Sequence, residues 1–390
     1  MVKKVQEQHI AVFGEAGSGK TVLLSAFFGA AEDSASANDL WDLVAGDAGQ
    51  GHRLLANYLG MKRDATLPPG TQFAATTYRF SLRLKGAQKK GKQPFDELCL
   101  VWHDYPGEWF EDGPSSEEEK GRRAATFEAL VRSDVAFLLV DGQKLLDYKG
   151  EEERYLRSLL GNFRQEVLRQ KHLLDSDDDR LLEFPRIWIM ALSKADLFPD
   201  WDVNEFRELM ILKAADQIDQ LRKTLTSVVD TPEAMSVAED FVLLSSAKFK
   251  LSAAGPVEID VTERKGLDLI LPVACLLPLQ RRVEWAEKFD IPMKVLDKLA
   301  DGAEALAAAL VSQHMETVEK MLVKLPKVGP FVAMAAGPLL NKAVEIAGDK
   351  LKEIHDQAVA SKDYLTATLT QFKMDLEQGV ADRLLFRSKQ

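Results

Sequence analysis

The chain has 390 residues, 46% of them hydrophobic and 28% charged, with a net charge of −11. This is a globular rather than a disordered or fibrous composition, at a length that holds about two to three domains. The acidic balance argues against a broad nucleic-acid surface, which needs clustered Lys and Arg to neutralise phosphates, and two cysteines, Cys99 and Cys275, each inside an apolar run, argue for buried thiols rather than a disulfide framework or a zinc site.

Residues 1–8 are polar and lack the apolar stretch of a signal peptide. Nor does any run reach the roughly 18 apolar residues that span a bilayer, so a cytoplasmic protein of bacterial style is expected. Residues 9–13 form a short apolar run that reads as a buried strand, and residues 21–30 are helix formers. Between them lies Gly14-Glu15-Ala16-Gly17-Ser18-Gly19-Lys20-Thr21, a match to G-x-x-x-x-G-K-T without a mismatch. A strand, a glycine-rich loop and a helix are the setting this motif requires. Glycines let the backbone curl so that successive amides converge on an anion, and the helix N-terminus adds partial positive charge. Lys20 reaches the β- and γ-phosphates and the Thr21 hydroxyl ligates Mg2+; Val22 is counted with them in the nucleotide site. The plain alternative is a glycine-rich turn ahead of any helix.

Residues 31–38 are small and polar, a loop. Residues 39–59 look helical, with breaks at Gly46, Gly49 and Gly51, and residues 66–71, containing Pro68-Pro69-Gly70, are irregular. A second hydroxyl for the metal is expected from this region: Thr71 is the choice, with Thr66, Thr76 and Thr77 as competitors. Arg63, placed in the same loop, either acts on developing phosphate charge or is a solvated loop arginine. Residues 76–84 alternate as a strand, 86–93 form a basic hairpin tip, and 98–102 form a buried strand running into Asp104-Tyr105-Pro106-Gly107. A carboxylate at the C-terminal end of a buried strand lies beside the phosphate loop in such a fold, so Asp104 is a candidate Mg2+ ligand. Gly107 brings a backbone amide to the γ-phosphate with no side chain in the way. Alone, Asp-x-Pro-Gly is an ordinary turn. His103 is either a packed strand-end histidine or a sensor of the bound nucleotide.

Residues 135–140 are a further strand, 151–174 a charged helix, 175–179 an acidic loop and 187–192 a strand leading into Ser193-Lys194-Ala195-Asp196. This matches Asn/Thr-Lys-x-Asp with Ser in first place, and by itself it is also a common helix cap. The Asp196 carboxylate accepts from guanine N1–H and N2–H2, a donor pair adenine lacks. At about 1.5–3 kcal/mol per charge-assisted bond, the pair separates GTP from ATP by a factor on the order of hundreds. The aliphatic stem of Lys194 covers the base, and Leu197 closes the segment. Residues 205–228 are helix. Residues 241–244 are a strand ending at Ser245-Ser246, with the Ala247 amide of Ser246-Ala247-Lys248 pointing at guanine O6.

Beyond residue 271 the chain is rich in Ala, Leu, Lys and Glu and almost free of strand signals. Helices are expected there, with breaks near Pro326, Pro330 and Pro338. Residues 311–325 and 342–371 show three- and four-residue apolar spacing and should pack as helices on one another. The apolar, small-residue run 328–340 is a buried helix by default, with an interfacial helix or a partner surface as alternatives. The acidic runs 117–119, 151–153 and 175–179 read as solvated faces. Strands alternating with helices argue for a mostly parallel sheet covered on both faces.

In this order, each after its own apolar run, the four motifs resemble those of the TRAFAC-class GTPases. Asp104-Tyr105-Pro106-Gly107-Glu108-Trp109 is similar to the switch segment of the bacterial YcjX-like stress proteins, and Leu67-Pro68-Pro69-Gly70-Thr71 to a loop of bacterial double-GTPase proteins of conflict systems. The likeness spans residues 5–277. It implies a Ras-like α/β P-loop domain with insertions over 1–280 and an α-helical domain over 281–390. The implied ligands are GTP or GDP with Mg2+, and Lys20, Thr21, Asp104, Lys194 and Asp196 are the functional positions. Ser193, the long spacing from Thr21 to Thr71 and the charged insertion 151–180 depart from the pattern. Glu108 stands where many such GTPases carry a Gln that orients the attacking water; it either takes a proton from water or contacts the switch loop away from the phosphates. Slow hydrolysis is expected, with Lys20, Thr71, Asp104, Gly107 and Glu108 as the catalytic set. The expected output is a conformational switch, read by a protein partner through loops 66–71 and 107–123 and the C-terminal helices. Homo-oligomers, a dynamin-like membrane assembly and a nucleotide-binding structural partner stand as alternatives.

Overall fold

A computed structural model of the chain describes residues 5–35, 38–69, 76–85, 97–110, 116–130, 133–174, 186–229, 231–252, 255–288 and 348–388. The first strand, β1 (Val5–Phe13), ends in the phosphate loop, and α1 (Lys20–Ser34) leaves it. The helix expected over 39–59 is in fact two elements, β2 (Trp41–Ala45) and α2 (Ala48–Asp64). Gly46 makes the change. Its amide donates to the Arg79 carbonyl at 2.7 Å, a Cβ there would lie 3.1 Å from that of Arg79, and Asp47 then caps α2 by accepting from the Gln50 amide. Arg63 therefore lies in the last turn of α2, not in a loop.

The chain continues through β3 (Thr76–Leu84), β4 (Glu97–Asp104), α3 (Glu117–Leu130), β5 (Val135–Asp141), α4 (Gly142–Asp147), α5 (Glu152–Leu174) and β6 (Ile187–Ser193). Then follow α6 (Val203–Thr226), β7 (Ser236–Leu243), a hairpin of β8 (Lys248–Ser252) and β9 (Gly255–Asp260), α7 (Ile270–Lys288), α8 (Gly348–Ala360), α9 (Tyr364–Ala381) and β10 (Leu385–Phe386). All the strands expected from the sequence are present; β2, the β8–β9 hairpin and β10 were not anticipated. Two residues of β10 add a strand to a region expected to be wholly helical. The segments 86–93, 175–179, 311–325 and 328–340 and Thr71 lie outside the described residues.

One sheet of eight strands has the order β10-β7-β6-β5-β1-β4-β3-β2. Strands β4, β1, β5, β6 and β7 are parallel; β3, β2 and β10 each run antiparallel to their neighbour. Side chains alternate across a strand, and β1 shows the consequence. Ile10 and Val12 enter a core with α1, α2, α7 and α9, while Ala11 and Phe13 enter a second core with α5 and α6. This is the doubly covered, mostly parallel sheet of a Ras-like P-loop domain with added C-terminal helices. Cys99 and Cys275 are free, buried thiols. No described helix is long and apolar enough to cross a membrane.

Candidate nucleotide site

The loop from Gly14 to Lys20 turns on Gly17 and Gly19, whose φ values of +76° and +87° lie in the left-handed region. Gly14 is close-packed as well, since a Cβ there would meet Ser18 Oγ at 2.6 Å. Lys20 is buried, and its ammonium donates to the carbonyls of Gly14 at 2.7 Å and Glu15 at 3.0 Å. The charge is thereby held over the mouth of the loop. Glu15 is also buried, and its carboxylate pairs with Lys144 of α4 at 2.9 Å.

Parallel register sets Asp104 beside Val12, two residues before the loop begins. Thr76 lies opposite Asp104 on β3, whereas the Thr77 hydroxyl is 3.3 Å from His103 Nδ1. Beyond Asp104 the chain is pressed against the phosphate loop: a Cβ on Gly107 would lie 2.2 Å from the Ala16 amide nitrogen. The short 3-10 turn Gly107–Phe110 is anchored from behind. Tyr105 and Trp109 are both buried, their rings edge-to-face at 5.2 Å. Arg123 of α3 donates to the Trp109 carbonyl at 3.2 Å and stacks over its ring, itself held by Glu119 at 2.6 Å. Burial, and next the nearby Glu166 carboxylate, raise the Tyr105 pKa well above its ordinary value. The backbone of Glu108 lies in the turn, and its side chain is outside the described residues.

Two cavities adjoin along the loop. The smaller, about 160 Å3, is walled by residues 16–22 with Pro68, Pro106 and Gly107. The larger, about 330 Å3, shares Gly17, Ser18, Gly19 and Val22 with it and extends to Ser193, Lys194, Asp196 and Leu197. The phosphate loop with Lys20 and Thr21 thus lines one end, and the Asp196 carboxylate among apolar walls lines the other. Lys194 has a left-handed backbone (φ 53°); its stem passes about 4.0 Å from where a Gly19 Cβ would be, and its ammonium pairs with buried Asp141 at 2.8 Å. The Asp196 carboxylate accepts from Phe249 N at 3.4 Å, and its other oxygen lies 2.8 Å from Ser245 Oγ.

The loop after β7 meets this cavity through Ser246, and β8 through Phe249. Ala247 is fully buried, its carbonyl 2.6 Å from Ser245 Oγ. Lys248 points into solvent, paired with Glu263 at 2.7 Å. Thr21, the second residue of α1, lines the smaller cavity.

Sequence reasoning missed Asp141, Lys144, Ser245, Phe249 and Leu67, which lines the larger cavity. A signal existed for Asp141: it ends the apolar run of β5, as Asp104 ends β4. Nothing local marks Lys144, because its partner is 129 residues away. Among the described residues no group of three or more His, Cys, Asp or Glu could hold a metal ion.

No curated protein matches the chain. The family model for Double-GTPase 2 matches residues 8–231, more than half of it. With a P-loop, a switch-type Asp-x-x-Gly pressed against it and a carboxylate-bearing cavity beside it, the chain belongs to the Double-GTPase 2 family, a family of P-loop proteins that bind GTP.

Proposed function

We propose that this chain binds GTP across the two adjoining cavities and hydrolyses it slowly at the β–γ bond, acting as a conformational switch for a protein partner. The observation that carries this is the continuity of the cavities: they share one wall, Gly17 to Gly19, with phosphate-binding groups on one side and Asp196 on the other. Lys20 and the loop amides neutralise phosphate charge, and Asp196 selects guanine. Thr21 and Asp104, with a hydroxyl from the 66–77 region, that of Thr71, would hold Mg2+. When bound, the cation neutralises the β- and γ-oxygens. Gly107, seated against Ala16, offers its amide to the γ-phosphate. With glutamate rather than glutamine at position 108, intrinsic turnover is slow. The setting proposed, stress or defence signalling in a bacterial cytoplasm, follows the resemblance of the switch and Pro-Pro-Gly loops.

Calorimetry with GTP, GDP and ATP tests the ligand. Guanine nucleotides should bind at least about a hundredfold more tightly than ATP, and Asp196→Asn should transfer that preference to xanthosine triphosphate, whose 2-oxo group now meets an amide. ATP binding as tightly as GTP would sink the proposal. Turnover of labelled GTP with and without cell extract separates a regulated switch from a structural nucleotide-binding partner.

A further inference from the structure

The loop between β9 and α7 carries Lys265, which lies beyond the 8–231 family match and outside every motif of the sequence. It touches both loops that hold the base-side carboxylate. Its backbone makes a two-way bridge with Ser245: Ser245 N donates to Lys265 O at 2.9 Å, and Lys265 N to Ser245 O at 3.0 Å. Its ammonium donates to the carbonyls of Ala195 and Phe198, each at 3.2 Å, one residue before and two residues after Asp196. The next residue, Gly266, has φ +65°, and a Cβ there would lie 2.1 Å from the Leu243 carbonyl oxygen. The loop is thus laid directly on the end of β7.

We infer that Lys265 is a positioning residue for guanine recognition, a strut that joins the loop after β6 to the loop after β7 and so fixes the Asp196 carboxylate at the angle two purine donors require. This rests on the GTP reading above. The Asp196 carboxylate is steered by Ser245 Oγ on the second loop and by Phe249 N at the start of β8, which that loop leads into, while its own backbone sits on the first. A relative slide of the two loops therefore rotates the carboxylate. Two hydrogen bonds to one purine edge demand tighter alignment than one, so the second is lost first. Burial lowers the Lys265 pKa, while Asp196 and Asp200 pull it back up, so the ammonium is electrostatically tied to the carboxylate it places.

Inosine triphosphate lacks the 2-amino group, so the GTP-to-ITP affinity ratio reads the second hydrogen bond alone. By calorimetry the unaltered protein should prefer GTP by about tenfold or more. Lys265→Met should bring the two within about threefold, leave inorganic tripolyphosphate binding unchanged, and be rescued by Lys265→Arg. An unchanged ratio in Lys265→Met, or equal weakening of GTP, ITP and tripolyphosphate, overturns the inference. Should Lys265→Met fail to fold, Lys265→Gln, which keeps a donor but no charge, replaces it; a partial narrowing supports the strut and an unchanged ratio refutes it. ATP matching GTP in the unaltered protein would instead defeat the guanine reading itself, so the two failures are distinguishable.

Discussion

At the scale of single residues, Gly107 leaves no room for a side chain. Its Cα faces the Glu15–Ala16 peptide so closely that a methyl group would sit 2.2 Å from Ala16 N and 2.3 Å from Glu15 C. Both neighbours are backbone and cannot swing aside. Gly107→Ala is therefore expected to lift the switch turn off the phosphate loop, slowing single-turnover hydrolysis by about a hundredfold through loss of one aligned donor. GDP affinity should be unaffected, and a mutant that hydrolyses GTP at the normal rate would refute the contact. The Glu15–Lys144 pair gives a second test. With Lys144→Ala the buried Glu15 carboxylate of the phosphate loop loses its paired cation, and GTP and GDP affinity should both fall by about tenfold. Adding Glu15→Gln should recover most of the loss. The Gly-rich loop, Asp104 and Asp196 were legible because each motif is contiguous and follows its own apolar run. Lys144, Ser245 and Lys265 were not, because each acts on a segment many residues away and carries no pattern of its own.

At the scale of elements, β1 and β4 are joined by more than their ladder. His9 and His103 stack with ring centroids 5.3 Å apart, His9 Nδ1 lies 3.0 Å from His103 Nε2, and Glu7, Arg79 and Thr77 surround them. Burial, then His9 and Arg79, lower the His103 pKa from 6.5 to about 4, and burial lowers that of His9 as well. Because the folded-state pKa lies below the unfolded one, the unfolded chain binds the extra proton between pH 6.5 and 4. Stability from this pair is thus complete above pH 6.5 and drains away as pH falls toward 4. His103 accounts for about 3 kcal/mol of the drop. Urea midpoints measured across that window should fall with pH, and His103→Gln should flatten the slope; an equal slope in the variant would rule the histidine out. The central strands were readable because burial on both faces makes them continuous apolar runs. Edge elements were not: β2 is five residues long, includes Asp42 and is followed at once by Gly46, so its signal merges with the helix beyond.

At the scale of the whole molecule, the C-terminal end is tied to the sheet by one buried ion pair. Asp240 of β7 and Arg281 of α7 are 0% and 1% exposed and meet at 2.5 Å. Asp240 also accepts from the Ser388 amide at 3.0 Å, and Arg281 donates to the Ser388 carbonyl at 3.1 Å. Strand β10 adds its two residues to the β7 edge just before that point. Three segments far apart in sequence therefore converge on one charge pair: the outer strand β7, the helix leaving the sheet, and the chain returning after α9. No local pattern announces this, which is why a two-residue strand at 385–386 escaped a reading that depends on runs of four or more. Removing one partner of such a pair leaves the other charged and dry, at a cost of about 3–5 kcal/mol. Arg281→Ala is accordingly expected to lower the unfolding free energy by that amount in urea titrations, with hydrogen exchange rising along both β7 and β10. Replacing both groups with apolar residues, Asp240→Leu with Arg281→Met, should cost much less, because no buried charge is stranded. If the single substitution cost no more than the double one, the tie between the C-terminal segment and the nucleotide-binding sheet would have to lie elsewhere.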